Sequence, residues 1–427
     1  MKQNNKDELK KISLIKHKKY RGKIQIIGKM KIKYSDLKIY YTPGVAYPCL
    51  EIAKNKNLSY EYTNRGNNVA IVTNGSRILG LGSIGPEAGM PVMEGKALLM
   101  KKFGAIDAIP LAINAEKENE IINFVKMIEP SFGAINIEDI QMPMSLRIVH
   151  KLRQELKIPV FYDDSDGTGI VARAALINAV KLVNKDINKI SIVINGSGAA
   201  GLGIANILIN SGIKNIIMCD TSGIIYKGRK ENMNEFKKEI SEKTNQNLKK
   251  GKIEDAVDGA DVLIGASTKN AFSKELIQKM NHKAIVFALA NPIPEISYND
   301  AKNAGAAIVA TGRSDFPNQI NNFIAFTGIL RGLLDVHAKT INNSMLIKAS
   351  DALAGIIKNR ELNSEYIIPK FKDEKTTINI TAAIANEVAK EAMKIKATAI
   401  RINMGEILKR TEELFKNYDK IEKDLGE

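Results

Sequence analysis

Apolar and polar positions along this chain follow two rhythms. Short, nearly continuous apolar runs lie at 69–73, 107–113, 133–140, 158–161, 190–194, 215–219, 261–265, 284–289 and 307–311. Each is bounded by glycine, proline or polar residues and reads as a buried strand. Between them, helical spacing occupies 117–129, 143–156, 168–183 and 202–210, and residues 340–427 read as helical throughout. Strands that alternate with helices predict parallel sheets joined by crossovers, an α/β fold. Near the start, the apolar alternation Ile24-Gln25-Ile26-Ile27 predicts one further short strand within a lysine-rich segment.

Length and charge narrow the picture. A chain of 427 residues predicts two domains and a sizeable core. No apolar run approaches the roughly 18 residues of a membrane span, and the first residues lack the apolar centre of a secretory signal. A cytoplasmic or organellar-matrix protein with no membrane partner is expected. The net charge of +16 first suggests nucleic acid. Residues 1–40, however, hold 13 Lys/Arg against 3 Asp/Glu, so +10 lies there and only +6 in the rest. That distribution predicts a solvated basic arm and no nucleic-acid partner. Cys49 and Cys219 form no metal or redox motif, and the four histidines form no ligand cluster.

The candidate chemistry sits where strands end. The run at 158–161 leads into Asp163-Asp164-Ser165-Asp166 and then a helix opened by Thr168. Capping needs one such acid, and here three crowd one turn. The strand before it ends in Glu138-Asp139. Two carboxylate pairs at the carboxyl ends of two parallel strands can share one hard divalent cation such as Mg²⁺ or Mn²⁺. The strongest single motif is the strand 190–194 followed by Gly196-Ser197-Gly198-Ala199-Ala200-Gly201 and a helix. It predicts a Rossmann-type doubly wound domain that holds a dinucleotide pyrophosphate at a helix N-terminus. Asp220, 24 positions after Gly196, ends the next strand and is placed for the ribose hydroxyls. It would repel a 2′-phosphate and no arginine follows it, so NAD is expected, with NADP as the alternative.

Other residues are weaker signals. Arg77 is the only fixed positive charge in the glycine-rich loop 74–86. Lys96 stands at the head of a helix at 97–102, where a cation opposes the macrodipole, a misfit that hints at chemistry. Tyr41 precedes a Thr42-Pro43-Gly44 turn and alone reads as a packing residue. The stretch 316–322 is rich in amides that could hold a carboxylate.

In combination these blocks resemble the malic enzymes of the short bacterial type, from about Lys23 to at least Pro369. The blocks are Tyr41-Thr42-Pro43-Gly44-Val45-Ala46, Gly80-Leu81-Gly82, Pro91-Val92-Met93-Glu94-Gly95-Lys96, Glu138-Asp139, Asp163-Asp164, the glycine motif, Ala288-Leu289-Ala290-Asn291-Pro292 and 311–319. The resemblance implies oxidative decarboxylation of L-malate to pyruvate and CO₂ with reduction of NAD⁺ or NADP⁺. It implies metal ligands Glu138, Asp139 and Asp164, a base Lys96 oriented by Asp163, and an acid Tyr41. Arg77, Asn291 and Asn322 would contact substrate carboxylates. The cofactor would lie on Thr168, Gly196, Gly198, Ala199, Ala200, Gly201, Asp220 and Asn291. The implied domains are an N-terminal substrate and metal domain (1–162), a Rossmann NAD-binding domain (163–321) and helices at 322–427 that pack back on the first. A homodimer is expected, with Tyr41 and the basic arm completing the neighbour's site. No phosphotransacetylase-like extension is expected, unlike in longer hybrid forms. The same residues could serve a non-redox malolactic or oxaloacetate decarboxylase, and the class alternative is a cofactor-binding regulatory protein.

Three positions depart from the family pattern. Ser165-Asp166 replaces Gln-His, and Asp166 would add negative charge beside the metal. Gly169 replaces the usual alanine, and Phe326-Thr327 stands where Phe-Pro is common.

Overall fold

A computed structural model describes residues 3–424 except 21, 30, 31, 79, 399 and 401. Two sheets organise the chain. The first has strands β1 (Asn68–Thr73), β2 (Asp107–Ala112), β3 (Ala134–Ile137) and β4 (Val160–Tyr162), all parallel, in the order β2-β1-β3-β4. β1, β3 and β4 are buried along their whole length, as continuous apolar runs in a parallel sheet covered on both faces should be. β2 contains Pro110, which cannot donate to a ladder, and it lies at the edge.

The second sheet holds β5 (Ile192–Asn195), β6 (Ile216–Asp220), β7 (Gly223–Ile224), β8 (Val262–Gly265), β9 (Ile285–Ala288) and β10 (Ile308–Thr311). Its order is β10-β9-β8-β5-β6-β7, parallel except for the β6–β7 hairpin. The chain leaves β5 for β6 on one side and returns to β8 on the other, so the strand order reverses beside the glycine motif. Ligands of open α/β sheets bind at such a reversal.

The helix Phe323–Asp335 is buried along nearly its whole length, and the helix Glu374–Lys394 lies against it. The contact is close because Gly328 and Gly332 face Ile384 and Ala385, where a Cβ would stand 2.6 and 2.5 Å from the nearest atoms. The Thr381 hydroxyl donates to the carbonyl of Phe103 at 2.6 Å, which ties these helices to the first sheet's layer. Asn178 donates to the carbonyls of Ala354 and Ile367, which ties the C-terminal segment to the second.

Residues 24–28 form no strand: they are irregular, exposed and without a ladder partner among the described residues. The alternation there has no sheet edge to join. The arm before it is instead a helix, Gln3–Tyr20. No described helix is long and apolar enough to cross a membrane.

Candidate active site

Register brings the acids together. β3 and β4 are neighbours with Ile137 opposite Tyr162, so the residues just beyond, Glu138-Asp139 and Asp163-Asp164, emerge side by side. Carboxylate oxygens of Glu138, Asp139 and Asp164 lie within 4.8 Å of one another. Asp139 has φ 51°, a left-handed conformation that aspartate tolerates. That bend lets its N–H donate to Asp164 Oδ2 at 3.1 Å and its carbonyl accept from the N–H of Arg77 at 3.1 Å. The loop carrying Arg77 is thereby fixed against the cluster.

Beyond β4 the chain makes one wide π-type turn, Asp163–Gly167, before the helix Thr168–Leu182. Such turns concentrate at functional sites. Gly167 is required there, since a Cβ would stand 2.1 Å from Asp163 Oδ1.

Lys96 reaches the same point from the helix Pro86–Gly104. The expectation that it heads a helix is wrong: the helix begins ten residues earlier, at Pro86, and Lys96 lies in its middle. Gly89, Pro91 and Gly95 are poor helix formers, but burial of Met93, Ala97 and Met100 carries the helix through them. Lys96 Nζ pairs with Asp163 Oδ2, which is fully buried, and with Glu138 Oε1 at 2.9 Å, and stands 4.9 Å from the ring centre of Phe326.

Burial disfavours the ammonium, but the charges of Asp163 and Glu138 more than offset it and hold Lys96 protonated. Asp163 is pushed up to about 7, chiefly by burial, against the pull of Lys96 and with the repulsion of Glu138. Asp164 rises to about 6 by burial and by repulsion from Glu138. Among the described residues, four carboxyl groups converge on Lys96 with Arg77 beside them, so acids outnumber cations. Three converging carboxylates fit a hard divalent cation.

Asn322 donates to Asp163 Oδ2 at 2.6 Å, so it holds the partner of Lys96. Arg77 is exposed beside the cluster, and its charge favours the ionised Asp164. Asn291, beyond β9, is exposed, and its side-chain amide lies against Gly312 while its backbone carbonyl lies against Gly80 in the loop after β1. Tyr41 is 71% exposed and makes no hydrogen bond to the cluster among the described residues. Asp166 does not add charge beside the carboxylates: it pairs with Arg153 and accepts from the N–H of Tyr162 at 3.0 Å. Gly169 packs on the carbonyl of Gly203, where a Cβ would stand at 2.8 Å. The Thr327 hydroxyl is buried without a hydrogen-bond partner, and nothing in the structure explains the threonine.

The glycine motif has the form a dinucleotide needs. Gly196 (φ 121°) turns where a Cβ would strike the Ala266 carbonyl at 2.2 Å. Gly201 lets the helix Ala199–Asn210 approach the carbonyl of Gly196, where a Cβ would stand at 1.9 Å. At Gly198 nothing lies within 4 Å, and no side chain caps the helix. The first N–H groups of such a helix have no partner within it, and a pyrophosphate can supply one. Thr168 opens the neighbouring helix, whose contact with this one runs through Gly169 and Gly203.

Asp220 ends β6 but is occupied. Arg229 forms a two-pronged pair with it, Nη1 to Oδ1 at 2.9 Å and Nη2 to Oδ2, and Lys237 Nζ donates to Oδ2 at 2.8 Å. The expectation that no arginine follows Asp220 therefore fails: Arg229, nine positions on, is folded back by the β6–β7 hairpin.

Sequence reasoning also missed Asn136, which donates to Glu138 Oε2 at 2.8 Å, and Glu295, which accepts from the N–H groups of Ser267 and Ala290. Asn136 did leave a signal, a polar residue inside an apolar run. Glu295 left none.

Residues 21–123 match the malic enzyme N-terminal domain, and residues 165–393 match the malic enzyme NAD binding domain. A bifunctional malic/malolactic enzyme of Bacillus subtilis is 46% identical over 93% of this chain and 96% of its own. A probable NADP-dependent malic enzyme of Rickettsia prowazekii is 44% identical over 89% of this chain and 52% of its own, so the chain spans about half of that relative. Among solved structures, malic enzyme from Pyrococcus horikoshii is 45% identical with a TM-score of 0.90, over 94% of this chain and 93% of that one.

Proposed function

The chain belongs to the malic enzyme family, and from that premise we propose that it oxidises L-malate at C2 and decarboxylates it to pyruvate and CO₂, with NAD⁺ or NADP⁺ as hydride acceptor. The observation that carries this reading is Lys96 held between Asp163 and Glu138, beside three convergent carboxylates.

Lys96 takes the proton of the C2 hydroxyl. Asp163, braced by Asn322, holds the Lys96 Nζ in position. Arg77 and Asn291 bind the substrate's carboxylates from the two loops that meet at Gly80. Breaking the bond to the departing CO₂ leaves its electron pair on the enolate of pyruvate, and Tyr41 protonates C3. Glu138, Asp139 and Asp164 would hold Mg²⁺ or Mn²⁺, which would supply Lewis-acid stabilisation of the substrate oxygen and a positive charge beside Lys96 that favours its neutral form. The pyrophosphate of the dinucleotide rests on Gly196, Gly198, Ala199, Ala200 and Gly201.

The test is NAD(P)H formation by purified protein with L-malate and Mn²⁺. Malate-dependent, chelator-sensitive reduction with equimolar pyruvate is expected. Lactate formed with no net reduction would instead favour the malolactic reading that the Bacillus relative's name raises.

The same reading extends to a homodimer with Tyr41 acting in the neighbour's site. Its support is the exposure of Tyr41 together with Ile39, Tyr40, Tyr47 and Leu50, apolar surface that a second copy would cover. Mixing inactive Tyr41→Phe chains with inactive Lys96→Ala chains restores activity if sites are built from two chains. No recovery after subunit exchange sinks the dimeric site.

A further inference from the structure

We propose that Glu295 is a positioning residue: its buried carboxylate closes the loop after β9 and fixes Asn291 where the substrate carboxylate binds. The inference rests on the role given to Asn291 above and supplies what holds that side chain in place.

The loop leaves β9 at Ala288 and carries Asn291 at an exposed position. Glu295 is 0% exposed and reaches back across the loop, where its Oε2 accepts from the N–H of Ala290 at 2.9 Å. Residues 290–295 are thereby closed into a ring by one side chain. The other oxygen is anchored outside the loop. Oε1 accepts from the N–H of Ser267 at 2.8 Å and from the Ser267 hydroxyl at 3.2 Å, in the segment after β8. That hydroxyl accepts in turn from the Asn195 amide at 3.2 Å, at the end of β5. The carboxyl ends of β5, β8 and β9, neighbours in the sheet, are tied through one carboxylate.

The place is shaped for that group. Gly265 ends β8 directly against it, where a Cβ would stand 2.4 Å from Glu295 Cδ. Burying a carboxylate is costly unless its oxygens are hydrogen-bonded, and here each oxygen meets donors. A glutamine would set its own NH₂ against one of the two N–H groups, so it could not close both contacts.

The fold alone does not need this clamp. Backbone bonds already join the two segments, from the Asn270 N–H to the Pro294 carbonyl at 3.1 Å and from the Phe272 N–H to the Glu295 carbonyl at 3.0 Å. What the carboxylate adds is a constraint at Ala290, immediately before Asn291. The Asn291 amide then sits in the notch left by Gly312, where a Cβ would stand 2.7 Å away.

The experiment is steady-state malate oxidation with Mn²⁺ and NAD⁺ by Glu295→Gln, made in the wild type and in Asn291→Ala, beside NAD⁺ binding and melting temperature. In the wild-type background kcat/KM for malate should fall by about 100-fold, the cost of a misplaced substrate contact. Malate KM should rise, and the NAD⁺ dissociation constant should stay within about threefold. In the Asn291→Ala background the same change should cost less than about threefold, because a residue acting through Asn291 has nothing left to position. Ser267→Ala, which removes only the hydroxyl contact, should raise malate KM by about threefold, and it carries the test if Glu295→Gln does not fold. Equal losses in both backgrounds, or an unchanged malate KM in both Glu295→Gln and Ser267→Ala, overturn this inference alone. Wild-type kinetics in Asn291→Ala overturn the role of Asn291 and this inference with it. A wild type that binds NAD⁺ but oxidises no malate overturns the proposed function instead.

Discussion

The ends of β3 and β4 and the end of β6 are built from the same parts in opposite proportion. At the first, Glu138, Asp139, Asp163 and Asp164 surround Lys96 and acids are in excess. At the second, Arg229 and Lys237 surround Asp220 and cations are in excess. Both are acid motifs at the carboxyl ends of parallel strands, and in sequence they look alike. Among the described residues, acids outnumber cations at the first place and cations outnumber acids at the second. An acid at a strand end thus acquires its meaning from the charges folded around it, and those come from distant segments.

The acid-rich end is where the contrast breaks most easily. Removing one carboxylate of three should cost more than the roughly 10–100-fold that outer-shell substitutions cost in metal affinity. Asp164→Ala should therefore raise the Mn²⁺ dissociation constant at pH 7.5 by more than about 100-fold. An unchanged titration would remove Asp164 from the ligand set.

A smaller effect sharpens the same point. Asp164 has its pKa raised to about 6, so in the metal-free protein it takes up a proton as pH falls through that value. Protons and the cation compete for it. Mn²⁺ affinity of the wild type should be steady above pH 7 and weaken below pH 6, approaching about tenfold per pH unit for one competing proton. The sign is that of an acid raised by burial, whose ionised form is the disfavoured one in the folded protein until a cation arrives. Affinity that is flat between pH 5 and 7 would contradict the placement of the charge deficit.

Much of this could be read from the chain. The long apolar runs became strands because both faces of a parallel sheet are covered, and the paired acids met because β3 and β4 are neighbours in register. The glycine motif was legible because its constraints are local to one turn and one helix. What could not be read was set by tertiary packing. The helix from Pro86 runs through Gly89, Pro91 and Gly95 because its other residues are buried. Asp166 looked like a fourth metal-side charge, yet Arg153 from the preceding helix takes it away. Arg229 lay beyond the usual window for a ribose-reading residue, and only the two-residue strand β7 folds it back. Strand Ile24–Ile27 failed for the converse reason, a local pattern with no partner to satisfy it.

Lys96 is proposed as a working base and not merely the counter-ion of Asp163 and Glu138. The direct measurement is steady-state malate oxidation by Lys96→Ala beside NAD⁺ binding to the same protein. Loss of a positioned general base predicts kcat lower by about 10²–10⁴-fold, with the NAD⁺ dissociation constant unchanged within about twofold. Turnover near the wild-type rate would show that the buried ion pair is structural and that the chemistry lies elsewhere.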